Sequence, residues 1–63
     1  MNRYEANRQA KTMYCMMGEY YLAWTDEDWD EYRSDNFWNE KDIAMVRDYY
    51  KRTADRVAEW LGM

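Results

Sequence analysis

The sequence predicts an all-helical fold: an antiparallel hairpin of two long helices joined by a short acidic one. Three observations carry this reading. Apolar residues recur at steps of three and four over two long stretches, and no run alternates apolar with polar residues as a half-buried strand does. The chain also has no proline and only two glycines, so little in it interrupts a helix.

Ala6, Ala10, Met13, Met17, Tyr20 and Trp24 form one seam, which predicts a first helix over about residues 2–24. Ala6 and Ala10 are small enough for a neighbour to come close there. Gly18 sits inside this span, where glycine costs about 1 kcal/mol relative to alanine, and so marks a kink or a close contact. Ten of the twelve residues at 13–24 are apolar or aromatic and point in nearly every direction. A helix apolar all round has to be enclosed by other elements or by another molecule. Cys15 and Leu22 fall almost opposite the seam, which makes them the expected self-association surface and a homodimer the expected state.

Thr25 followed by Asp28 has the form of an N-cap with an acidic third position, and Asp26 and Glu27 suit the positive end of a helix dipole. A short second helix over about residues 26–34 then groups Trp29, Tyr32 and Arg33. Ser34, Asp35 and Asn36 read as a break. Asn39 with Asp42 repeats the cap signal and launches a third helix over about residues 40–61. Ile43, Val46, Tyr50, Ala54, Val57 and Leu61 lie on its inner face, with Asp48, Lys51, Arg52, Asp55 and Glu59 opposite. Gly62 stands where a C-terminal cap belongs.

At 63 residues the chain is one small domain, residues 1–63, close to the lower limit for a core that folds unaided. Seven tyrosines and four tryptophans let so short a chain bury more area per ordered residue, and the same residue types anchor interfaces. The single cysteine excludes an internal disulfide. Asn2, Arg3, Tyr4 and Glu5 are polar, unlike a secretory signal, so a cytoplasmic location is expected. No stretch reaches the roughly 20 apolar residues that span a bilayer, and no membrane association is expected.

Charge is unevenly spread. Residues 19–42 hold nine acids and two bases, whereas the rest of the chain holds seven bases and four acids. In an antiparallel hairpin Arg3, Arg8 and Lys11 come beside Lys51, Arg52 and Arg56, leaving one acidic and one basic end, a polarity that orients encounters.

The chemistry the sequence offers is binding rather than catalysis. Histidine, the commonest general base, is absent. Cys15 has no histidine to activate it and lies in an apolar stretch that raises a thiol pKa. Asp26, Asp28 and Asp30 imitate the start of a calcium loop, but Glu31 stands where glycine is required and Phe37 where the bidentate glutamate should be. No catalytic residue, metal or cofactor is therefore expected. Direct nucleic-acid binding is disfavoured by the net charge of −4.

What remains is a protein-binding surface made by Asp26, Glu27, Asp28, Trp29, Asp30, Glu31, Phe37 and Trp38, acids interleaved with aromatic anchors. Its expected target is a protein, such as one with a basic nucleic-acid-binding groove whose natural ligand these carboxylates would imitate. Size, acidity and aromatic density match the general make-up of small phage or mobile-element inhibitors of the anti-CRISPR or anti-restriction kind, an analogy no motif carries. The alternatives are a self-associating helical-bundle protein with no inhibitory role, and an acidic segment that is only a solvated, capped turn.

Overall fold

A computed structural model describes residues 1–62, with Met17 and Glu19 described by their backbone alone. Its elements are three α-helices, α1 (Arg3–Met17), α2 (Asp26–Asp35) and α3 (Glu40–Trp60). A 3-10 helix, Gly18–Ala23, links α1 to α2, and there is no strand among the described residues.

Each α-helix starts where a side chain accepts from an orphan backbone amide. The Asn2 side chain accepts from Glu5 N–H at 2.8 Å, and the Glu5 carboxylate accepts from Asn2 N–H at 3.4 Å, closing a capping box on α1. Thr25 and Asp28 do the same for α2, at 3.3 and 2.9 Å. Asn39 accepts from Asp42 N–H at 2.8 Å to start α3.

The expected continuous first helix to Trp24 is corrected. The α-helix ends at Met17 because Gly18 takes φ +59°, and the chain tightens into the 3-10 helix. The seam consequently holds through α1, breaks at Tyr20 and returns to the core at Trp24. Ala6, Ala10 and Met13 are buried, Tyr20 is 63% exposed, and the Met17 side chain lies outside the described ones. The tighter winding instead carries Tyr21 and Trp24 inward to pack on the core.

The two long helices pack on each other, but not antiparallel. The Met1 ammonium lies 3.3 Å from Asp42 in the first turn of α3. Further along, Lys11 and Arg52, at the same sequence offset, border one small cleft. Contacts that advance together along both helices mean that α1 and α3 run the same way. The physical reason is α2. Its ten residues span about 15 Å, enough to carry the chain back alongside α1, where Gln9 donates to the Tyr32 hydroxyl at 3.0 Å. The path is therefore up, down and up, and the expected antiparallel hairpin does not form.

Val46, Ile43, Tyr50 and Ala54 are buried on α3 as expected, but the inner face fades at its end. With the starts of α1 and α3 level, the longer α3 outruns α1, leaving Trp60 and Leu61 exposed. The centre of the core is aromatic. Tyr50 packs on Tyr14, Tyr21 and Trp29 with ring centroids 5.7, 5.6 and 6.1 Å apart, and Trp24 meets Trp29 edge-on at 5.1 Å.

Candidate functional site

The acidic segment folds as α2, whose helical geometry disperses its carboxylates. Asp26 reaches Arg47 of α3 at 2.6 Å, Asp28 is held in the Thr25 capping box, and Asp30 faces Arg33 at 3.9 Å. Asp26, Asp28 and Asp30 thus serve three different partners, and among the described residues no group of three potential metal ligands forms. Glu27 and Glu31 are exposed and make no ion pair among the described residues. On the outer face Asp28, Glu31 and Asp35 stand beside the half-buried rings of Trp24 and Tyr32, around a shallow cleft of about 220 Å³.

The aromatic members of the candidate surface separate into three environments. Trp29 is only 4% exposed and is a core residue, which corrects its expected place on the outer surface. It turns inward because the capping box fixes the start of α2, and helical spacing then aims position 29 at α3. There the Arg47 guanidinium covers its ring, 5.5 Å from the centroid. Trp38 is half-buried against Tyr32, ring centroids 5.5 Å apart, and its carbonyl accepts from Arg33 at 3.3 Å. Phe37 is 95% exposed.

Phe37 owes that exposure to the way α2 ends. Trp38 N–H donates to the Arg33 carbonyl at 3.0 Å and Phe37 N–H to the Ser34 carbonyl at 3.1 Å, the paired bonds of a Schellman motif. The motif needs a left-handed residue at its first position beyond the cap, usually glycine. Here that residue is Phe37, with φ +58°. A large side chain is held in a costly backbone conformation and points into solvent. The sequence alone gives the residue type but not the conformation.

The ionisation of Tyr32 is displaced. Burial pushes its phenol above the ordinary 10.0, the neighbouring Tyr21 adds to the rise, and the hydrogen bond from Gln9 opposes it.

The expected self-association pair is exposed but divided between two depressions. Cys15 borders a groove on the outer face of α1 with Tyr4, Lys11 and Met16, whereas Leu22 lies on the wall of a different cleft. That second cleft, about 790 Å³, runs between the 3-10 helix, α2 and α3. The sequence reading missed it because its walls come from three elements. Its α3 wall could have been found in the spacing of Glu40, Ala44, Asp48, Lys51 and Asp55. The basic side chains also gather in part as expected, with Lys11, Arg52 and Arg56 around a small cleft of about 110 Å³. Among the described residues no helix is long and apolar enough to cross a membrane. No family model, curated protein or solved structure shows significant similarity to the chain.

Proposed function

We propose that this chain is a small acidic, cytoplasmic protein-binding module, with no catalytic role, that presents α2 and the turn after it to a basic protein. The observation that carries the reading is Phe37. A phenylalanine 95% exposed, at a left-handed position that favours glycine, serves folding neither by burial nor by backbone preference. An anchor side chain for a partner accounts for both features. Asp28, Glu31 and Asp35, on the outer face of α2 beside Trp24 and Tyr32, supply a negative face that would steer a basic target into contact. Asp26, Glu27, Asp30 and the edge of Trp38 complete that surface, while Trp29 supports it from within. The class of target we favour is a nucleic-acid-handling or defence protein whose basic groove the acids engage, as with phage or mobile-element inhibitors of similar size and charge.

The test is binding to a basic protein that co-purifies from the source cell. Phe37→Gly should speed dissociation at least about tenfold, and neutralising Asp28, Glu31 and Asp35 together should slow association and flatten its salt dependence. If both variants bind as wild type does, this surface is not the contact.

A second reading, self-association into a helical bundle, rests on the groove where Tyr4, Cys15 and Met16 meet. Tyr4 is 72% and Met16 76% exposed, more apolar surface than a lone helix face needs to show. Light scattering at micromolar concentration should then report a dimer that Met16→Glu converts to monomer. A wild-type monomer excludes this reading.

A further inference from the structure

We propose that the cleft between the 3-10 helix, α2 and α3 receives a basic amphipathic helix of the partner protein, an inference that rests on the protein-binding reading above. Trp29, Ile43 and Tyr50 form a buried floor, and Leu22, 49% exposed, and Ala44 leave apolar surface open on the walls. Such a floor takes apolar side chains from a helix laid into a groove.

Shape selects an elongated occupant. Glu40, Ala44, Asp48, Lys51 and Asp55 all line the cleft and follow one another at steps of four, four, three and four along α3. That stripe is about 22 Å long, the length of roughly four helical turns. Ala44 lies one turn from its N-terminal end, where a small side chain lets a second helix approach closely.

Charge selects a basic one. Asp30, Glu40, Asp48 and Asp55 line the cleft against Arg47 and Lys51. Arg47 is already engaged, with Asp26 at 2.6 Å and the Trp29 ring at 5.5 Å, and its guanidinium on that ring demonstrates that this floor accommodates a cation. Asp48 in turn pairs with Arg52 at 3.1 Å and Asp30 with Arg33 at 3.9 Å, whereas Glu40 and Asp55 make no ion pair among the described residues. Acids at positions 40, 48 and 55 are spaced two turns apart, which matches cations repeating every seven or eight residues on a facing helix.

The experiment uses the full chain and two labelled helical peptides of about 18 residues with the same leucine pattern, one with lysines and one with glutamates on the polar face. Fluorescence anisotropy at about 0.15 M salt reads the binding. The lysine peptide should bind at least about tenfold more tightly than the glutamate peptide, and Ala44→Lys should weaken it by a similar factor. Both Glu40→Gln with Asp55→Asn and Leu22→Ser should weaken it as well, and circular dichroism confirms that each variant is folded. Neutralising Asp28, Glu31 and Asp35 on the outer face should change the affinity less than about threefold. Equal binding of the two peptides, binding of neither, or a lysine peptide indifferent to every cleft variant overturns the proposal. If the outer-face variant alone loses the lysine peptide, the cleft is wrong while the reading of α2 as the target-facing surface stands.

Discussion

The hydroxyl of Tyr50, in the middle of α3, donates to the backbone carbonyl of Gly18, where α1 gives way to the 3-10 helix. One side chain thereby ties the junction of α1 and the 3-10 helix to the middle of α3. The ring that carries the hydroxyl packs on Tyr14, Tyr21 and Trp29, so the polar contact is held by the aromatic core around it.

Tyr50→Phe keeps that packing and removes the hydroxyl. We expect a loss of about 1 kcal/mol in urea unfolding, the usual worth of such a hydrogen bond. An unchanged midpoint would show that the Gly18 carbonyl finds water as readily.

Trp29→Ala removes a ring from the centre of the core, a change that costs about 3–5 kcal/mol. A domain this small has only about that much to lose, so the variant should be largely unfolded by far-ultraviolet circular dichroism at 25 °C. Native helicity in that variant would show that the core does not depend on the Trp29 ring.

Phe37→Gly should raise stability by about 1 kcal/mol, because glycine takes the left-handed conformation without the clash of a β-carbon. A higher melting temperature together with weaker partner binding is the combination that separates an anchor from a structural residue. A lower melting temperature would mean that Phe37 makes a folding contact.

Tyr32 sets an alkaline limit. Its folded-state pKa is raised above the ordinary 10.0 chiefly by burial, so the unfolded chain releases this proton first as pH rises. The associated stability is fully present below pH 10 and is lost as pH climbs through the raised folded value. Melts of wild type and Tyr32→Phe across that range should converge at lower pH and part above it, with wild type falling faster. Parallel curves would remove Tyr32 as the cause.

The sequence by itself determined the helices and their caps. Thr25 with Asp28 and Asn39 with Asp42 are local signals, each satisfied within one turn, and the inner face of α3 through Ala54 follows from spacing alone. Those features depend on residues a few positions apart, which is the range a sequence pattern encodes.

Tertiary structure decided the rest. The stop at Gly18 required a positive φ and is tied to the Tyr50 hydroxyl of a distant helix, and neither follows from the apolar seam that ran on past it. The parallel sense of α1 and α3 depended on whether α2 is long enough to carry the chain back. Sequence showed acids and aromatics mixed at 26–38, but only packing sorted them, sending Trp29 inward beneath Arg47 and leaving Phe37 in solvent. Of the cleft between three elements only the α3 wall has a local signature, because its other walls join it only when the chain has folded.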